Sequence, residues 1–172
     1  MNSKLLRYIP AFIAYLLLQV LILNRIDFLG SINAFLYVLF IICLPVDTKK
    51  TFVLFIAAGM GLCIDMLSGS PGLHTSAAIF LAFTRHFTLR YMSPREGFEF
   101  GAVPGLNDMG FIWFVSYAAI LTFVHHLFLF LLEVFRFSEL GATLGRTILS
   151  VALSLALMIL FQFLFYYRQS KS

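Results

Sequence analysis

The chain has 172 residues, of which 61% are hydrophobic and 12% charged, with a formal net charge of +4. Soluble domains carry about 25% charged residues, so this is the composition of an integral membrane protein, with room for about six short spans and no sizeable soluble domain. The positive charge does not point to nucleic acid, because the Lys and Arg residues are spread among the loops without a dense basic stripe.

The first apolar run covers residues 5–23 and follows Lys4 and Arg7. It is too long for the core of a signal peptide, and Asn24-Arg25-Ile26-Asp27 is no small-residue cleavage site, so it reads as an uncleaved span. The second run, 32–44, extends to 28 if Phe28 and Leu29 are counted, and Pro45 ends it. It falls short of the roughly 20 residues a full crossing needs. Either its helix is short and buried in the bundle or the membrane thins there.

The third run is 52–67, and the Ser/Gly/Pro turn at 68–72 has the residues a tight reversal needs. The fourth, 74–91, is basic and aromatic in its far half, as at an interface where Arg snorkels to phosphate. Residues 92–110 form the longest polar connection, with Pro94 and Pro104 but no motif that carries a mechanism. It is expected to face the cytoplasm and to be the best candidate for a cytoplasmic contact. The fifth and sixth runs are 111–135 and 147–167. The expected architecture is therefore all-α: one integral membrane domain over 1–172, a compact bundle of six transmembrane helices.

With both termini cytoplasmic, Lys4, Arg7, Lys49, Lys50, Arg85, Arg90, Arg95, Arg168 and Lys171 lie inside, and Arg25, Arg136 and Arg146 outside. That asymmetry follows the positive-inside rule.

Polar residues inside the runs are the candidate functional groups. A helix rises about 1.5 Å per residue, which puts Gln19, Asp65, His125 and His126 each roughly 20–23 Å from the cytoplasmic edge. Ser150 and Ser154 fall in the same outer half, so these side chains could form one layer and satisfy each other away from lipid. A charged Asp at a bilayer centre costs roughly 2.5–3.5 kcal/mol, so Asp65 should face protein or water. It either caps the 68–72 turn or holds it to a neighbouring helix, or else it serves a proton relay or ligand site. In the positional case Asp65→Asn keeps much of the geometry at modest cost.

The adjacent His125 and His126 point about 100° apart on a helix, unlike the i, i+4 histidines of HExxH metal sites. Gly59 and Gly61 suit close helix packing rather than a GxxxG dimer. Cys43 and Cys63 sit in apolar segments and read as small hydrophobes rather than a disulfide. Glu133 and Arg136 have the spacing of an exposed i, i+3 pair. There is no GxSxG, HExxH or Walker A sequence, so no catalytic residue, cofactor or metal is expected.

One stretch carries a family resemblance. Leu44-Pro45, a short basic loop and a Gly-rich span ending Gly61-Leu62-Cys63-Ile64-Asp65-Met66-Leu67-Ser68-Gly69-Ser70-Pro71-Gly72-Leu73-His74 resemble the rod shape-determining protein MreD family. The matching residues are Gly61, Asp65, Gly69, Pro71, Gly72 and His74, and Arg85 and Arg90 match the basic end of the helix that follows. The close match covers residues 44–90; elsewhere the agreement is in hydropathy. Many members carry a proline entering the second span, where this chain has Ile32-Asn33-Ala34.

The resemblance implies a non-enzymatic subunit of the bacterial cell-elongation (rod) complex in the cytoplasmic (inner) membrane, contacting membrane lipids. It would scaffold MreC and, through it, MreB, RodA and the elongation-specific penicillin-binding transpeptidase for lateral-wall peptidoglycan synthesis and cell shape. It also implies a fold similar to the substrate-binding subunits of energy-coupling vitamin transporters. Those subunits supply the alternative reading, a small-molecule transporter subunit whose ligand cavity the outer polar layer would line.

Overall fold

The computed structural model describes residues 8–26, 32–134 and 140–169, with side chains of the last helix to residue 164. The described residues form seven α-helices and no strand: α1 (Tyr8–Leu21), α2 (Tyr37–Ile42), α3 (Lys50–Ser68), α4 (Leu73–Tyr91), α5 (Leu106–Met109), α6 (Phe111–Val134) and α7 (Leu140–Gln169). A 3-10 turn, Leu23–Arg25, follows α1.

Among the described residues, four segments are long and apolar enough to cross a membrane: Tyr8–Arg25, Lys50–Ser68, Phe111–Val134 and Leu140–Leu164. Their outward faces carry Ile13, Leu17, Phe55, Leu62, Ile120, Ile148 and Leu160, all exposed. Apolar side chains at such density on a surface suit hydrocarbon rather than water, and the protein is a membrane protein. Helix α4 is as long as α3 but carries Arg85, His86 and Arg90. It packs against α3 on one side and α6 on the other.

The second apolar run departs from a single helix over its described residues, 32–44. Only Tyr37–Ile42 is α-helical, and residues 32–36 are not. The physical reason lies in the hydrogen bonds. The N–H groups of Asn33 and Phe35 go to the hydroxyls of Ser150 (3.1 Å) and Ser154 (3.0 Å) on α7. The Leu36 N–H goes to Gln19 Oε1 (2.8 Å) on α1. Side chains of other helices take the donors that an earlier helical turn would have bonded. Residues 34–42 are all buried, so this segment is the centre of the bundle.

The sixth run also differs from its expected 147–167, since α7 begins at Leu140. Gly141 and Gly145 lower the helix propensity there, but Arg146 fastens this end to α6. It pairs with Glu133 (3.0 Å) and lies 4.1 Å from the Phe130 ring centroid. That is the partner found for Glu133; Arg136 lies outside the described residues.

The bundle has two distinct ends. At the loop end, Val46 N–H donates to Ala102 O (2.9 Å) and Trp113 Nε1 to Met92 O (2.9 Å), so the 43–49 and 92–110 connections lie together. The long connection folds onto the bundle: Gln162 bonds both Leu106 N–H (3.4 Å) and Cys43 Sγ (3.2 Å), and Cys43 Sγ donates to Pro104 O (3.2 Å). Both cysteines are free. At the opposite, turn end, Asn24 Nδ2 donates to Ser68 Oγ (2.8 Å), tying the exit of α1 to the exit of α3.

Candidate functional site

The turn between α3 and α4 is built around Asp65. Gly69 ends α3 with φ 68°, and its N–H and that of Ser70 both go to Asp65 O. Gly72 precedes α4 with φ 81°; as a glycine it offers no side chain to cap the helix. Asp65 supplies the cap from the neighbouring helix. Its Oδ1 accepts from Ser70 Oγ (2.9 Å) and His74 N–H (3.0 Å), and its Oδ2 from Thr75 N–H (2.9 Å) and Thr75 Oγ1 (2.6 Å). Two of the orphan amides of the first α4 turn, those of His74 and Thr75, are thereby satisfied by a carboxylate, which also complements the helix dipole. Pro71 is exposed in the turn.

This geometry needs a close approach one turn earlier. A Cβ on Gly61 would stand 2.5 Å from Thr75 Cα and 2.7 Å from His74 O. Only glycine lets α3 come near enough for Asp65 to reach the α4 amides. Gly59 faces open space.

A second group of polar side chains lies inside the bundle. Gln19 is fully buried; besides Leu36 N–H its Oε1 takes Tyr37 N–H (3.4 Å), and its Nε2 donates to Ala34 O (2.9 Å) and Asn24 Oδ1 (2.8 Å). Nearby, His74 Nδ1 meets Tyr37 OH (3.3 Å), Tyr37 OH meets His125 Nε2 (2.6 Å), and His125 Nδ1 meets His126 Nδ1 (3.3 Å). His126 Nε2 then meets Ser154 Oγ (2.9 Å). Phe35 packs against the three imidazoles at centroid distances of 5.0–5.8 Å. Asp65 bonds to none of Gln19, His125 or His126; it meets this group through the His74 backbone. No buried side-chain N or O among the described residues lacks a partner.

The third feature is Arg85, 3% exposed. Its Nε donates to Ile42 O (3.3 Å), and its guanidinium also reaches the carbonyls of Leu44 and Pro45. Tyr117 OH adds a bond to Ile42 O (3.0 Å). A planar fork of donors suits several carbonyls at once, and a cation at a helix C-terminus complements the dipole. The central helix α2 is thus held at its start by Gln19 and Ser154 and at its end by Arg85 and Tyr117.

Sequence reasoning missed Tyr37, Thr75 and Tyr117. Tyr37 had a signal, as the one hydroxyl in an apolar run; Thr75 and Tyr117 had none. Among the described residues no group of three or more His, Cys, Asp or Glu could hold a metal ion. The arrangement fastens α2, α4, α6 and α7 to one another through a run of hydrogen-bonded side chains.

The fold and this interior define an α-helical membrane protein with a polar, hydrogen-bonded centre. No family model matches the chain, and neither a curated protein nor a solved structure matches it.

Proposed function

We propose that this protein is a non-enzymatic scaffold subunit of the bacterial rod complex, of the MreD kind, in the inner membrane. The observation that carries the reading is the use made of the resemblance residues. Gly61, Asp65, Gly69, Gly72 and His74 build the α3–α4 junction, and Arg85 fixes the central helix. Residues that match the family motif are engaged in shaping the bundle, which suits a protein whose product is a surface for partners.

The chain passes six times between the two ends on this reading, with α2 and its flanks as the short passage and α4 as the basic one. The loop end, near Lys49, Lys50, Arg90 and Arg95, is then cytoplasmic by charge, and both termini lie there. The expected partner is MreC, and through it MreB, RodA and the transpeptidase. A transporter subunit would need polar side chains free to face a ligand, whereas those of the interior bond to one another.

The test is purification of the tagged chain from mild detergent with identification of what accompanies it. MreC in the eluate supports the scaffold. An ATPase pair with a membrane coupling protein would replace this reading by the transporter one.

A further inference from the structure

Helix α1 is attached differently at its two ends. Among the described residues its side-chain hydrogen bonds all come from Gln19, near the turn end. There its exit is also tied to α3 through Asn24 and Ser68. Towards the loop end no hydrogen bond joins α1 to α3 among the described residues, and an apolar groove of about 150 Å³ opens between them. Tyr8, Ile9 and Phe12 line it from α1, Phe52 and Ile56 from α3, and Phe40 from α2. Phe40 is buried and meets Phe12 edge to face at 5.7 Å.

A groove in a surface that faces hydrocarbon is filled by apolar matter, and its size decides by what. One turn of an α-helix, about 10 Å across and 5.4 Å high, occupies roughly 400 Å³. A partner helix does not fit; the upper part of a single acyl chain does. The charges above the groove agree. Lys49 lies three and seven residues before Phe52 and Ile56, on the same face of α3. Phe52 and Ile56 lie about 3 and 9 Å below Lys50 along the helix axis, the depth of the first chain carbons under a headgroup. Both lysines are exposed, and neither has an ion-pair partner among the described residues. No side chain caps the start of α3, and its first turn holds no acidic residue. Two cations therefore sit at the positive end of its dipole, where an anion is favoured. Asp47, facing Tyr8, opposes them, but two lysines against one aspartate leave residues 47–50 with a net charge of +1.

We propose that this groove holds one anionic phospholipid, with its phosphate on Lys49 and Lys50 and one acyl chain between α1 and α3. The lipid fastens the half of α1 that has no hydrogen bond to α3. The proposal rests on α1 and α3 crossing a membrane and stands independently of the scaffold reading.

The experiment is a titration of the delipidated full-length protein in mild detergent, with phosphatidylglycerol and separately with phosphatidylcholine, counting bound lipid by native mass spectrometry. One phosphatidylglycerol should bind in preference to phosphatidylcholine. Joint Lys49→Gln and Lys50→Gln substitution should weaken it roughly 30-fold, at about fivefold per basic charge near a lipid surface. Asp47→Asn should strengthen it. Ile9 is 51% exposed at the groove, so Ile9→Trp can fill the space and should abolish the preference with both lysines intact. Equal binding of the two lipids overturns the proposal. So does a preference that survives Ile9→Trp, which would mean that the lysines attract lipid without the groove. If a variant does not accumulate, phosphatidylglycerol with a photoreactive group high in its acyl chain decides on the unsubstituted protein. Label on Ile9, Phe52 or Ile56 supports the site. Label elsewhere, or none because a second copy or another protein segment fills the groove, overturns it.

Discussion

Replacing Asp65 with Asn separates a positional carboxylate from a chemical one, and the structure gives the size of the effect. Both oxygens of Asp65 are acceptors, and each serves one backbone amide and one hydroxyl. An Asn side chain has one acceptor oxygen and one NH2 group. Whichever way it is turned, the NH2 faces a hydroxyl that can rotate to accept and an amide that cannot. One N–H, of His74 or of Thr75, is left unsatisfied, at about 1–3 kcal/mol. The modest cost expected from sequence is therefore too low. Asp65→Leu strands both amides, at about 2–6 kcal/mol on the same count. The assay is thermal unfolding in detergent together with membrane abundance, followed by rod-shape complementation at matched abundance. The expected order is wild type, Asn, Leu, with function tracking the folded amount. An Asn variant as stable as wild type but inactive would show that the carboxylate carries chemistry. Equal destabilisation by Asn and Leu would refute the oxygen-by-oxygen count.

Gly61→Ala should destabilise by about 1–3 kcal/mol, as overpacking does, while Gly59→Ala, facing open space, should be neutral or stabilise by about 0.5–1 kcal/mol; denaturant midpoints of the pair check this. Arg85→Met should cost about 1–3 kcal/mol through the stranded carbonyls of Leu44 and Pro45, and Arg85→Lys should recover part of it because an ammonium cannot reproduce the fork; equal stability of Lys and wild type would sink the capping argument. Replacing residues 95–99 by a Gly/Ser linker should leave accumulation intact. By contrast, Gln162→Ala should open the 100–106 segment to protease by removing its bonds to Leu106 and Cys43.

The parts of this fold that local rules govern could be read from the sequence. Hydropathy marks the long helices, and the Ser/Gly/Pro signal places the α3–α4 turn where Gly69 and Gly72 have positive φ. Counting helical rise brings Gln19, the two histidines and Ser154 to one depth, and their side chains converge on the segment from Ala34 to Tyr37. Non-local bonds could not be read. The second run stops being a helix because Ser150 and Ser154, 117 and 119 residues further on, take its amides. Nothing near Asn33 or Phe35 in sequence announces that. The start of α7 was hidden for a similar reason, since Gly141 and Gly145 suggest a loop and the Arg146–Glu133 pair that holds them helical is an interhelix contact.

The dependence of the second segment on α7 has a consequence for how the protein is made. Residues 32–36 leave the ribosome while Ser150 and Ser154 have not yet been translated. At about 5–20 residues per second, their amides wait on the order of ten seconds for those hydroxyls. Unpaired amides in hydrocarbon are costly, so the nascent segment must stay at the translocon or at the bilayer surface until α7 arrives. Assembly of the centre is thus postponed until α7 is made, and a ribosome that stalls before Ser150 leaves a chain whose middle cannot close.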